Sequence, residues 1–428
     1  MTGWSLLRRI AFRFVFCYFV LYILVDPVVT TYIPVGRLGG LWRPLVLWVG
    51  TRVLHTRYDI GSPGLVGGVN NSAYGLILGL CFLVIAAAAT ALWSALDRRR
   101  AQYERLQAWL RLLLRFSLAI SMINYGIIKV IPIQMISPLP LTYLTERVGD
   151  LTPMRMLWMF VGSSPPYEVF TGCAELLGGL LLLLPRTTLL GALVCFADLV
   201  MIFTLNMAYD VQVKLYSFHL LAMAALLIAP DLPRLARLFL FNRPVEPAQT
   251  TPLSTRRWLH RGAQAFVLLF GLYAIGVKVG IAWKRYEKLH PPRPPLYGVW
   301  NVEEFVVDGK DVPLFTDPGR WRTLSFHVPR RAAVELMIGS GRYYSLDLDM
   351  KGRTMRLRAL KAQGEASFAF ERPETDVLLL NGQVDGHPAR ARLRKMALIG
   401  QPFHWVFVPD PEDLEPPPTA KAGKPRTR

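Results

Sequence analysis

Charge is scarce in this 428-residue chain: Asp, Glu, Lys and Arg together make up 18%, against 52% hydrophobic residues. With a mean hydropathy of +0.31, that balance excludes an ordinary soluble globule and describes a membrane protein. Cysteine is scarcer still. Cys17, Cys81, Cys173 and Cys195 all fall within apolar runs and none stands in a C-x-x-C pair, so metal clusters and dithiol redox chemistry have no support. The seven histidines are dispersed and only His219 stands well inside an apolar run, which argues against a bis-histidine haem site in a membrane. The opening "MTGWSLLRRIAFRFVFCYFVLYILVD" lacks a small-residue cleavage site and has a long apolar stretch. It is expected to be a retained first span rather than a cleaved signal.

Acidic residues are few, 30 against 49 Lys and Arg, giving a formal net charge of +19. The excess is regional. Up to Pro294 there are 29 basic and 13 acidic residues, and beyond it 20 and 17. The basic residues flank apolar runs instead of forming one aromatic-interleaved face, so they are expected to anchor loops at a membrane surface and not to bind nucleic acid.

Apolar runs of the length a helix needs to cross hydrocarbon occur near 10–29, 73–95, 107–131, 166–185, 187–205, 213–230 and 262–282. With seven spans, Arg8–Arg9, Asp97–Arg105, Arg186 and the basic residues from Arg234 to Arg261 share one side, which the positive-inside rule makes cytoplasmic. The N-terminus is then cytoplasmic and the C-terminal domain extracytoplasmic. Arg111 and Arg115, in the first turns of the third span, are expected to snorkel to the interface. The apolar middle of residues 35–72 is expected to form an interfacial helix, and "MRMLWMFVGSSPPY" a short surface helix stopped by Pro165–Pro166.

From Pro295 the period shortens. Runs such as "WNVEEFVV", "YYSLDLDM" and "HWVFV" alternate apolar and polar residues and are separated by "VDGK", "TDPG", "GSG", "MKGR", "AQGE", "NG" and "VDG". Eight or nine strands with such turns predict an antiparallel β-barrel or curved sheet. The opening Gly298-Val299-Trp300 resembles the G-x-W start of lipocalin-type barrels, in which the Trp plugs the barrel base. The last 19 residues are Pro-rich and charged, and are expected to be disordered.

Polar residues inside the spans are costly in hydrocarbon, so they are either paired or used. Asn124, Tyr125 and Lys129 close the third span, with Tyr125 and Lys129 on one helix face. Glu175 stands in the fourth span beside Gly178 and Gly179, small residues that admit a neighbouring helix. Asp198 lies in the fifth span without a sequence-local partner, and Asn206, Tyr209, Asp210, Lys214 and His219 follow. A Lys129–Glu175 pair is geometrically allowed and would offset its own desolvation. Two readings stay open. One makes these residues helix-to-helix ties, with Asp210–Lys214 an i,i+4 pair; the other makes them a polar site rimmed by Asp210, Lys214 and His219 and completed by Lys129 and Glu175.

Residues 106–244 resemble the DoxX-like family of bacterial inner-membrane proteins. The likeness is carried by Gly126-x-x-Lys129, by Glu175 with Gly178–Gly179, by the "RTT" turn and by "YDVQVKLYSFHL". It implies a four-helix core built from the third to sixth spans. The expected organisation is two N-terminal spans and an outer loop (1–105), the DoxX-like core (106–244), a cytoplasmic linker and last span (245–294), a lipocalin-like β-domain (295–408) and a tail (409–428). Some members of the family are associated with the membrane subunit of a thiosulfate:quinone oxidoreductase and others with oxidative-stress complexes. The resemblance therefore implies a redox-associated inner-membrane protein whose polar site contacts a quinone or similar lipid-soluble ligand among membrane lipids. Without a haem, iron–sulfur or flavin motif in the chain, electrons would come from a redox partner protein. The alternative is a transport or envelope-assembly protein whose β-domain binds a lipid, a peptide or an envelope protein partner. Whether the chain is an enzyme is not decided by its sequence.

Overall fold

The computed structural model describes residues 3–32, 38–61, 68–135, 139–247, 251–313, 317–339, 341–360 and 364–397. The expected tail, the "HWVFV" strand and parts of the "TDPG" and "AQGE" turns lie outside these residues. The chain divides into two units, a helical one (Met1–Tyr297 with Phe326–Arg331) and a β-rich one.

The helical unit begins with α1 (Leu6–Leu24), α2 (Pro27–Tyr32), α3 (Leu38–Leu41) and α4 (Arg43–Trp48), the last running into a π-helical turn at Val49–Val53. Next come α5 (Ala73–Leu96), α6 (Glu104–Val130), α7 (Leu141–Leu144), α8 (Pro153–Gly162) and α9 (Pro165–Leu183). It closes with α10 (Thr188–Ala208), α11 (Lys214–Ile228), α12 (Leu232–Phe239) and α13 (Arg257–Leu289). Among the described residues, six helical segments are long and apolar enough to cross a membrane: 73–96, 104–130, 165–183, 185–208, 214–239 and 257–289. The expected first span is helical too, but it ends at Leu24 and not near residue 29. Asp26 and Pro27 end it: the Asp26 carboxylate accepts the backbone N–H groups of Val28 and Val29 and so starts α2 instead, as an N-terminal acidic cap does. Pro165–Pro166 likewise begin α9 at its first turn, where their missing N–H groups are not needed.

At one end of the helical unit the basic segments meet. Arg9 donates to the carbonyls of Arg98 and Arg100, and the buried Arg13 reaches Ser94, Tyr103 and the Asp97 carbonyl. These bonds gather the start of α1 and the α5–α6 connection. Arg115 departs from the expected snorkelling. It is 5% exposed and donates to Thr188 Oγ1 and Gln264 Oε1, because α10 and α13 cover the face of α6 that carries it.

Among the described residues the β-rich unit has nine strands: β1 (Gly298–Val307), β2 (Lys310–Asp311), β3 (Trp321–Phe326), β4 (Arg331–Leu336), β5 (Gly341–Asp349), β6 (Thr354–Ala359), β7 (Glu365–Glu374), β8 (Val377–Val384) and β9 (His387–Lys395). Neighbours pair in the order β1-β3-β4-β5-β6-β7-β8-β9, the short β2 adds to β1, and β1 pairs antiparallel with β9. That last ladder closes the sheet into an antiparallel barrel without free long edges. Two turns follow the expected code: Asp308–Gly309 and Asp385–Gly386 both have positive φ, as a two-residue hairpin turn demands. Asn381–Gly382 does not turn. Both residues lie inside β8 and pair with β7 and β9, and a β-carbon on Gly382 would lie 2.0 Å from the Ser367 carbonyl oxygen, so glycine here serves close backbone approach.

Trp300 is fully buried, with the Arg372 guanidinium and the Lys395 ammonium each 5.9 Å from its ring. Phe305 stacks on Trp321, whose ring meets Phe368 edge to face. Gly298 adopts φ +140° beneath the Lys395 side chain, a conformation that suits only glycine. Arg320, 2% exposed, donates to the carbonyls of Val302, Glu303, Val312 and Trp321.

Candidate functional site

One face of α9 repeats with helical spacing: Glu168, Gly172, Glu175 and Gly179 stand at i, i+4, i+7 and i+11 and so line up along the helix. This face packs antiparallel on the end of α6. A β-carbon at Gly172 would lie 2.6 Å from that of Lys129, one at Gly126 2.7 Å from the Leu176 nitrogen, and one at Gly179 2.8 Å from Ile123 Cγ1. The glycines let the two backbones nearly touch. That approach carries Lys129 to Glu175, and the ammonium donates to Glu175 Oε1. Both residues are buried, at 8% and 1% exposure.

The pair leaves chemistry in reserve. A lysine ammonium has three donors, and Lys129 uses one on Glu175. Among the described residues, Glu175 Oε2 has no hydrogen-bond partner, and neither do Glu168 Oε2 and Asp198 Oδ2. Glu168 Oε1 accepts the Met135 N–H at 3.0 Å. Asp198 lies within electrostatic reach of Lys129, an opposite charge, and of Glu175, a like one. On the far side of α9, Gly178 faces the buried Cys195 of α10.

The remaining expected residues are distributed around this centre. Tyr125 is within electrostatic reach of Glu175, and its ring lies 5.9 Å from that of Tyr216, whose hydroxyl bonds Ser121. Asn124 accepts from the Tyr32 hydroxyl, and Asn206 donates to Ser217. Tyr209 packs with Met135, Leu157, Val161 and Val211. Asp210 and Lys214 form an i,i+4 ion pair, with the Asp210 side chain 83% exposed at a positive φ. His219 faces α1. Its Nδ1 lies 2.6 Å from the Leu215 carbonyl, which can only accept, so Nδ1 carries the proton and Nε2 accepts from the Tyr18 hydroxyl at 2.6 Å. Its ring stacks on Tyr22 with centroids 4.2 Å apart. Both ring nitrogens are therefore occupied, and the histidine is held inside an aromatic cluster.

Sequence reasoning passed over Glu168, Asp26 and the tyrosines of α1. The i, i+4, i+7, i+11 repeat of acid and glycine was the available signal for Glu168. Nothing comparable marks Tyr18 and Tyr22, whose histidine partner lies some two hundred residues away.

Fold and centre together define a polytopic helical protein with membrane-length helices, a Lys–Glu pair between two helices of the bundle and an appended antiparallel barrel. No protein-family model and no solved structure matches the chain. The uncharacterized protein YwoB of Bacillus subtilis (strain 168) is 30% identical over 160 residues, which span 35% of this chain and 92% of YwoB. The chain belongs to the family of YwoB.

Proposed function

We propose that this chain is a DoxX-like, redox-associated protein of the bacterial inner membrane that contacts a quinone or similar lipid-soluble ligand at the Lys129–Glu175 centre. One observation carries the reading: a buried ammonium that spends one of its three donors on Glu175 stands beside a buried carboxylate oxygen that has no partner among the described residues. A carbonyl oxygen accepts from such an ammonium, and a hydroxyl donates to such a carboxylate, so the centre matches both forms of a carbonyl-bearing ring. Tyr125 supplies an aromatic neighbour, and Asp198 a second carboxylate within electrostatic reach. A quinone, when bound, supplies the redox chemistry; Lys129 and Glu175 orient it and hold the proton. Electrons would come from a partner protein.

Arg9 and Arg13 meet the 97–100 segment, and Arg8, Arg115 and Arg234 line one cavity; this clustering of basic residues supports a cytoplasmic N-terminus and an extracytoplasmic barrel. Trp300, Phe305, Trp321 and Phe368 are buried in the barrel, and the last three pack ring against ring, which favours the helical unit over the barrel as the place where a small ligand is held. Titration of the detergent-solubilised protein with a short-chain quinone, followed by tryptophan fluorescence, tests the reading. Saturable quenching that is lost in a folded Glu175→Gln variant supports it, and quenching unchanged by that substitution contradicts it.

A further inference from the structure

At the basic end of the helical unit lies a cavity of about 550 Å³ walled by the start of α6, the α11–α12 corner, the start of α13, residues 245–247, Thr251 and Leu253. Its lining includes five arginines, Arg8, Arg111, Arg115, Arg234 and Arg237, and three acidic residues, Glu104, Asp231 and Glu246. The carboxylates do not neutralise it. Asp231 is already shared by Arg234 at 2.6 Å and Arg111 at 3.7 Å, and Arg234 also donates to the Glu246 carbonyl.

Arg115 is the most telling residue. It is 5% exposed, its two terminal nitrogens are held by Thr188 and Gln264, both neutral, and among the described residues its Nε has no partner. A buried charge paired only with neutral groups is costly unless an anion completes it. The wall is also fixed in place: Trp109 donates to the Leu253 carbonyl, and the Leu253 N–H donates to His260 Nδ1. That second bond makes Nδ1 an acceptor, so the proton of a neutral His260 sits on Nε2 and is a further donor at the lining.

We propose that this cavity binds a phosphate group, supplied by the headgroup of an anionic phospholipid or by free phosphate. Guanidinium forks match phosphate oxygens two at a time, and basic pockets between membrane helices suit anionic headgroups. The volume is within the range that holds an organic ligand.

The test uses the full chain in detergent, with phosphatidylglycerol, phosphatidylcholine or inorganic phosphate added. Thermal melting and native mass spectrometry provide the readouts. The expected result is a melting-temperature rise and a bound adduct with phosphatidylglycerol but not phosphatidylcholine, with affinity at least about tenfold weaker in Arg115→Gln and in Arg237→Gln, the loss expected of one charge-assisted contact. A shift with inorganic phosphate that is lost in the same variants would assign the site to the free ion. Arg237 lies at the exposed rim, so its variant keeps the test decisive should Arg115→Gln not fold. Equal responses to the two lipids, phosphatidylglycerol binding unchanged in the folded variants, or no response to any of the three would overturn the proposal.

Discussion

Lys129 and Glu175 are joined across the α6–α9 crossing at the level where Gly172 stands against the Lys129 β-carbon. The ion pair and the close helix approach are therefore one feature. Removing either charge leaves the other buried and uncompensated. Lys129→Met or Glu175→Gln alone is expected to cost about 3–5 kcal/mol, and the double substitution much less than the sum. Thermal or denaturant unfolding of the four proteins in one detergent gives the coupling; additive losses would show that the two side chains do not depend on each other.

The crossing itself makes a second prediction. Gly172→Ala puts a methyl group within 2.6–2.8 Å of Lys129 and the α6 backbone, and the forced separation is expected to cost about 1–3 kcal/mol. Gly276, on an exposed position of α13, has nothing within 4 Å of its added β-carbon. Its replacement by Ala should stabilise the helix by about 0.5–1 kcal/mol. Melting temperatures moving in the same direction for both would contradict the packing described.

Much of this architecture was readable beforehand because its causes are local. Apolar runs fix membrane-length helices, and period-two alternation between Gly-containing turns fixes strands. The failures mark where distant residues decide. Asn381–Gly382 carries the hairpin signature, yet β7 and β9 hold it in the middle of a strand. Arg115 looks like a snorkelling anchor until Gln264, 149 residues on, is seen to meet it. The Lys129–Glu175 pairing was legible because two ionised groups at similar depth in neighbouring spans have few alternatives. The engagement of His219 with Tyr18 was not, since a histidine has many neutral partners.

In the barrel, Arg320 serves four backbone carbonyls from a buried position. Arg320→Met keeps the apolar stem and removes every donor. Leaving even one of those acceptors unsatisfied costs about 1–3 kcal/mol, so the full-length variant should lose at least that much. The near-UV circular dichroism, to which the buried Trp300 and Trp321 contribute among the chain's 11 tryptophans, should lose the part due to those two before the helical signal weakens. An unchanged aromatic signal would mean that water or another donor replaces the guanidinium.

His327 gives a pH dependence. Burial, and then the neighbouring imidazole of His290, lower its pKa from the ordinary histidine value, so the folded chain favours the neutral ring. The associated stability is complete above the unfolded histidine pKa near 6.5 and is lost as pH falls through the lower folded value. The melting temperature should therefore decline on acidification below about pH 6.5, and the decline should be shallower in His327→Phe. An identical pH profile in that variant would remove His327 from the account.

We propose that the buried Lys129–Glu175 centre holds a lipid-soluble ligand. Its most direct measurement is organic extraction and mass spectrometry of the protein purified from its native membrane, alongside a folded Lys129→Met/Glu175→Gln double variant prepared identically. A quinone, or another carbonyl-bearing lipid-soluble molecule, is expected to be retained by the parent and absent from the double variant. The same molecule retained by both proteins, or none retained by the parent, would contradict it.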